Sequence, residues 1–516
     1  MKKILFILFC LSLSTLYSQS EKKYDVNSSD LPDWVNLMYA NKVDEGKVIQ
    51  AYELYYEKNE FVKNKHTQYY KRWLRNLSRE TIQPKNYKST SSNNWECIGP
   101  WDFDKDAESR SYAPGAAHLY TIEQSISNSN VLYAGAATAG AWRSNNKGNN
   151  WEHITKDLHL SGVYAIEIDF QDENIIYISG NGGIYKSIDG GSNWTSIGGS
   201  NFNSQSHSTK DIKMHPQNNQ IIFVATNKGL YKSTDGGLNL NEIMSGEFQE
   251  IEFHPLSADT MYFIRHDANY TEFYRSDDNG NSLNLFSNGW PSPSANDEQK
   301  RTEIAVSIAS PNKIVALATG AANGVSGLYG IYISYDKGEN WTFRCCGPQP
   351  AGVPSANNIN MMGWQPSGLD DGGQYYYDLA LAVNPFNANI IHVGGVNHWI
   401  SFDDGFTFSC PAKWSEPHKK GYVHADIHDI NYFGNDLWFA CDGGIFYSDN
   451  YGDSIYKKMY GIEGTDFWGF GAGFKDGDVM LGGTYHNGTL LKDNNTYLTD
   501  WICTDGGDNV RGFVNF

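Results

Sequence analysis

One pattern recurs seven times along this chain and limits what it can fold into: an aromatic-x-Ser step running into Ser-x-Asp-x-Gly-x-x-Trp. The fullest copies are SIDGGSNW from Ser187 and SYDKGENW from Ser334. Looser ones are SNNKGNNW from Ser144, STDGGLNL from Ser233, SDDNGNSL from Ser276, SFDDGFTF from Ser401 and SDNYGDSI from Ser448. Their starts are separated by 43, 46, 43, 58, 67 and 47 residues. Three of these gaps match the period of a four-stranded propeller blade, and the longer ones imply inserted loops. In each copy the Asp accepts hydrogen bonds from amides of its own turn, the Gly supplies a backbone geometry closed to other residues, and the aromatic returns to the blade. Asp189, Asp235, Asp278, Asp336 and Asp403 therefore read as structural turn residues. They lack the ligand schedule of a calcium-binding EF-hand loop.

The segments before the boxes, such as Ile175–Ser179, Ile221–Thr226 and Ile391–Gly395, are too apolar for edge strands and suit the middle of a blade. The expected fold is all-β, a multi-bladed β-propeller of four-stranded blades behind a short α-helical N-terminal segment. Composition agrees: 14% aromatic residues, 51 glycines and only 19% charged residues fit neither a disordered tail nor a helical bundle. A formal charge of −19 without a basic cluster argues against nucleic acid as partner.

Residues 1–20 read as a signal peptide, with Lys2 and Lys3 ahead of the apolar run Ile4–Leu13 and small residues Ser18 and Ser20 near a cleavage point. That implies a secreted or cell-surface protein, and no other apolar stretch is long enough to span a membrane. Residues 21–82 read as a helical leader: Pro32 follows a possible cap at Asp30, Val48, Tyr52, Tyr55 and Tyr56 recur at helical spacing, and Tyr69, Trp73 and Leu77 form a stripe. The polar stretch 83–94 reads as a linker, and 95–516 as the propeller. Cys97, Cys345, Cys346, Cys410, Cys441 and Cys503 remain after processing, and their pairing is open.

The boxes resemble the Asp-box (BNR) repeats shared by sialidases, sortilin-type receptors and two-propeller xyloglucanases. The segments YYYDLALAVNPFNANIIHVGGVNHWISFDDG from Tyr375, GYVHADIHDINY from Gly421 and GGTYHNGT from Gly482 resemble the exported Asp-box propellers of Bacteroidetes, often described as sortilin-like or glycosyl hydrolase-like. The resemblance runs from Trp95 to the end. Such relatives typically continue into a type IX secretion sorting domain, and the strand-like ending at Phe516 leads us to expect a longer natural polypeptide. Where the resembling xyloglucanases carry a catalytic carboxylate in a first-blade segment YARTDVGGAYR, this chain reads YAGAATAGAWR from Tyr133, with Ala137 at the carboxylate position. Sialidase chemistry lacks its arginine triad: the ten arginines are scattered and no Arg-Ile-Pro segment occurs.

Two further constellations carry chemistry. His424-Ala-Asp426-Ile-His428 on a strand would set two imidazoles and a carboxylate on one face, as metal ligands or as a polar network facing the channel. Trp364, Asp370 and Asp371, inside the longest interval between boxes, read as ligand-binding residues on the rim of the channel. No cofactor is expected. The chain thus reads as an exported binding or scaffolding module for an extracellular glycan or protein. The alternatives are a glycoside hydrolase of the two-propeller type and a sortilin-like peptide receptor. The segment WECIGP from Trp95 resembles a strand that follows a box, so it is expected to complete a blade begun elsewhere.

Overall fold

A computed structural model of the chain describes residues 31–40, 42–71, 73, 97–102, 113–158, 160, 162–180, 183–199, 207–294, 296–347, 353–473, 479–493, 501–509, 512 and 514. Residues 1–20, Leu77, residues 83–94, Trp95 and Phe516 lie outside the described residues. Two compact units divide at Glu96/Cys97.

In the first unit the chain forms helices Asp33–Met38 and Glu45–Tyr56, and residues 65–71 are helical as well. The helix is interrupted rather than continuous from Asp30. Pro32 precedes the first helix without a side-chain cap, whereas Asp44 caps the second by accepting from the Lys47 amide at 3.2 Å. The apolar faces lie on one another. Trp34, Val35, Met38, Val48 and Tyr70 form a small buried core, with Tyr52 stacked on Tyr70 at 3.8 Å.

The second unit holds eight antiparallel sheets built from consecutive strands, seven of four strands and one of three. The first seven are blades. Their innermost strands are Leu119–Gln124, Ile166–Ile168, Thr209–Met214, Glu247–Phe253, Glu298–Val306, Ala380–Val383 and Ile427–Phe433. Each lies beside the next, and the seventh lies beside the first, so seven blades close the ring. Blade 6 is the three-stranded sheet, extended only by a bridge between Ile400 and Ser409. Second strands such as Ile222–Thr226 and Leu132–Ala136 are buried at every position, which explains their apolar sequence.

All seven boxes make the same lock. The serine hydroxyl accepts from the glycine amide at 2.8–2.9 Å and donates to the carboxylate or, at Asn146 and Asn450, the amide oxygen at 2.8–3.0 Å. The acidic side chain then accepts from the turn; hydrogen bonds from the Ser282 hydroxyl and amide bring Asp278 down to about 2. The residue before the serine ties blade to blade. Arg143, Lys186, Lys232 and Arg275 each donate to a carbonyl in the next blade's box, at 2.6–3.2 Å.

Closure uses similar bonds. The Asp429 carboxylate accepts from the Ile122 amide and the Thr121 hydroxyl at 3.0 Å, and the Trp151 indole donates to the Lys458 carbonyl at 2.7 Å. Among the described residues the strands of each blade are consecutive in the chain. Of the segment expected to complete a blade, Trp95 and Glu96 lie outside the described residues; Cys97–Pro100 forms no strand, and the Ile98 carbonyl accepts from the Trp501 indole at 2.8 Å. The eighth sheet, Phe467–Ala472, Val479–Thr484, Thr489–Asp493 and Ile502–Asp505, stands outside the closed ring. Cys345 and Cys346 are bonded to each other, and Cys97, Cys410 and Cys441 are free thiols.

Candidate functional site

The innermost strands surround a cavity of about 600 Å³ lined by charged side chains, among them Glu123, Asp211, Lys213, Glu252, Glu303 and Asp429. Burial raises Glu252 to about 7 and Asp429 to about 6, while Lys213, opposed by burial, is held well above its usual range by Asp211 and the neighbouring glutamates. At one end stand Tyr120, Tyr164, Tyr376, Tyr377 and His428. That end carries the site.

Its centre is Asp442, fully buried in the turn between strands Asp436–Cys441 and Gly444–Ser448. The turn is built on glycine for a steric reason: a Cβ on Gly443 would lie 2.2 Å from His424, and one on Gly444 would lie 2.4 Å from the Met459 sulfur. Three imidazoles converge on the Asp442 carboxylate. His118, just before blade 1, places Nε2 at 3.0 Å; His428 of blade 7 places Nε2 at 2.7 Å; His486, in a turn of the eighth sheet, places Nδ1 at 2.9 Å. The Tyr377 hydroxyl lies 3.2 Å from both Asp442 oxygens and 3.0 Å from His118 Nε2.

Electrostatics sorts these groups. Burial penalises the Asp442 charge, but the charge of His428 and the hydrogen bonds from all three histidines outweigh it and hold the carboxyl well below its usual range. Burial likewise opposes a charge on His118, yet Asp442 and Asp466 overcome it and push the imidazole up to about 9. Burial lowers His428, against the opposing pull of the Asp442 carboxylate. Asp426 is raised well above the carboxylate range by burial and then by Asp442, and Asp378 by burial and then by Asp426. The cluster therefore holds an anion, a cation and neutral acids within one small volume, an arrangement suited to polar ligands and to proton exchange.

The sequence-derived candidates fall into different places. His424 places its ring nitrogens 3.2 Å from the carbonyls of Ala113 and Ala425. Asp426 has φ +61 and precedes the strand, so the row is not extended there and its side chains do not share a face. Asp426 accepts from Gln374 Nε2 at 3.1 Å, and only His428 meets Asp442 directly among the imidazoles of the row. Asp370 accepts from the Trp364 and Gln365 amides at 2.6 and 3.2 Å, and Asp371 accepts from the Ser326 amide at 2.8 Å. Both fasten the inserted loop, which delivers Gln374 and Tyr377 to the site. Trp364 is exposed.

His118, Asp442 and His486 were not singled out by sequence. Tyr377 precedes the innermost strand of blade 6. A usable signal existed: Asp442-Gly443-Gly444 repeats the Asp-Gly-Gly of 371–373 and 505–507, and His486 lies inside GGTYHNGT. Around the cluster runs a continuous aromatic surface. Tyr164 stacks on Tyr120 at 4.6 Å, Tyr120 meets His118 edge-on, and beyond His486 the Tyr485 ring stacks on Trp468 at 4.9 Å. Tyr164, Tyr376 and Trp468 are more than half exposed.

A closed ring of seven blades with a polar cluster over one end defines the class, a β-propeller with a ring-end site. The Sortilin-Vps10 family (sortilin, neurotensin receptor 3) matches residues 139–246. The GH74 xyloglucanase from Xanthomonas campestris superposes with a TM-score of 0.54 at 16% identity, over 76% of this chain and 61% of that one. An ancestral GH74 enzyme superposes with a TM-score of 0.53 at 14% identity, over 78% and 55%. The chain thus spans less than two thirds of either enzyme, and the likeness is one of fold. No curated protein matches the chain in sequence. Within its class, this chain shares the propeller fold of these enzymes and carries a Sortilin-Vps10-like segment over residues 139–246. Among the described residues no helix is long and apolar enough to cross a membrane.

Proposed function

We propose that this chain is an exported propeller whose ring-end site binds an extracellular glycan. The observation that carries the reading is the exposed aromatic surface of Tyr164, Tyr376 and Trp468 around the buried Asp442 cluster. Flat apolar rings beside oriented donors and acceptors are what a pyranose needs, since its faces are apolar and its edges are hydroxylated. Export rests on the charged and apolar pattern of residues 1–20, and the division into leader 21–82, linker 83–94 and propeller 95–516 rests on helical periodicity, a polar stretch and the box repeats. The test is a glycan and peptide array probed with the mature protein, followed by the same array with Trp468→Ala and Tyr164→Ala. Retention of one polysaccharide class, weakened in both variants, supports the reading. Binding to peptides alone would replace it with the receptor reading.

Hydrolysis is a second reading with one observation in its favour. Asp426 is held well above the carboxylate range and Asp442 well below it, so the two carboxyl groups differ in protonation as acid and base roles do. Against it, the position matching the xyloglucanase carboxylate is Ala137, buried beside His118, whose carbonyl accepts from the Ala137 amide at 3.0 Å. New reducing ends from xyloglucan, abolished by Asp442→Asn, would promote this reading.

A further inference from the structure

We propose that His118, Asp442 and His486 form a centre for a first-row divalent metal ion that clasps the closed ring to the eighth sheet. The geometry comes first. A nitrogen of His118, an oxygen of Asp442 and a nitrogen of His486 all lie within 4.8 Å of one another. Ligand atoms about 2.0–2.2 Å from one ion stand roughly 3–4 Å apart, so the three need little movement to share one. They arrive from three separate places in the chain: the residue before blade 1, the strand turn of blade 7, and a turn of the eighth sheet. Nothing in local sequence brings them together.

The surroundings have the features of a built site. Asp442 is fully buried, and the Tyr377 hydroxyl stands 3.0 Å from His118 Nε2, 3.2 Å from Asp442 and 3.4 Å from His486 Nε2, within reach as a further oxygen ligand. His118 Nδ1 has no hydrogen-bond partner among the described residues and lies 3.6 Å from an Asp466 oxygen, placed to orient the ring from behind, as outer carboxylates do for metal-bound imidazoles. Asp378, next in the chain to Tyr377, is buried with both carboxylate oxygens lacking a hydrogen-bond partner among the described residues. Two imidazoles with one carboxylate select zinc and its first-row neighbours over calcium or magnesium, which take oxygen sets. His428 meets the same carboxylate and supports it; His424 is excluded by its position under the Gly443 turn.

An ion there ties His118 and Asp442, on the two blades that meet at closure, to His486 outside the ring. It therefore stabilises the folded state by mass action. The test uses the full mature chain, stripped with chelator and dialysed, then titrated with Zn²⁺ by calorimetry and elemental analysis. One Zn²⁺ per chain is expected, with a melting temperature that rises on loading and falls back with chelator. His118→Gln and His486→Gln, checked for folding by circular dichroism, are expected to lose affinity at least 100-fold, while His418→Gln, at an exposed histidine elsewhere, keeps it. If either ligand variant fails to fold, Co²⁺ loaded into the unaltered protein decides by its visible ligand-field bands. An ion-free, Zn²⁺-insensitive protein without Co²⁺ bands, or folded ligand variants that bind as tightly as the unaltered chain, would overturn the proposal. Both outcomes leave the glycan reading untouched, because the array measures a different contact surface.

Discussion

Replacing Gly338 by alanine measures how tightly the boxes hold one blade against the next. Gly338 sits in the blade 5 box with φ +86, and a Cβ there would lie 2.1 Å from Cε1 and 2.4 Å from Cζ of Phe273 in blade 4. Phe273 cannot retreat: it is fully buried, with Trp341 edge-on at 5.0 Å and Trp290 at 5.6 Å. The left-handed backbone costs an alanine about 1–2 kcal/mol, and forcing extra volume into a packed core adds about 1–3 kcal/mol. Gly338→Ala is therefore expected to destabilise by about 2–5 kcal/mol. Gly434→Ala isolates the first term, because Gly434 has φ +62 and nothing within 4 Å of its would-be Cβ. Guanidinium unfolding of both variants, compared at equal slope, reads the difference directly. If the two are destabilised equally, within about 0.5 kcal/mol, the box glycine is there for its turn alone and the interblade argument is wrong.

Trp151→Phe removes the indole bond that closes the ring and Trp194→Phe removes its counterpart to the Ile154 carbonyl at 2.9 Å, so each should cost about 1–2 kcal/mol in urea unfolding; a far larger loss for Trp151 would mark closure as a special joint. Glu252 is raised to about 7, so its contribution to stability is full below about pH 4.5 and lost as pH rises through 7. Relative to Glu252→Gln, the unaltered protein should lose up to about 3 kcal/mol across that window, less where channel water screens the charge; unfolding midpoints of the two that stay parallel with pH would refute this. Trp468→Ala should change stability by less than about 0.5 kcal/mol while weakening glycan binding about 10-fold, measured by affinity electrophoresis. Equal migration of the two proteins in glycan-loaded gels would remove Trp468 from the site.

Fold was legible because the propeller repeats itself. Every Ser-x-Asp-x-Gly turn uses hydrogen bonds that begin and end within a few residues, such as Ser187 to Asp189 and the Gly191 amide to Ser187, so local sequence is enough to specify it. Seven such turns, including the two where asparagine stands in for aspartate, correspond to seven blades. The inserted loop before blade 6 was also visible as a long gap between boxes. Its aromatic and acidic residues were legible as a group, although Asp370 and Asp371 use their carboxylates to fold the loop itself.

The site was legible only in part, and the reason is topological. His118 and Asp442 are 324 positions apart in the sequence and meet because the ring closes, and His486 joins them from a sheet that the ring does not contain. Periodicity carries no record of that meeting. The His424, Asp426 and His428 row does not follow strand alternation, since the left-handed backbone at Asp426 breaks the row before the strand begins, and of its imidazoles only His428 meets Asp442. Sequence by itself determined the blade and its turns, written in short-range hydrogen bonds and alternating burial, while the closure of seven blades into a ring came from the tertiary structure. Only the tertiary structure decided which imidazoles share a carboxylate, which acids lose their charge, and which aromatic rings face solvent around them, because burial and field are properties of neighbours distant in the chain.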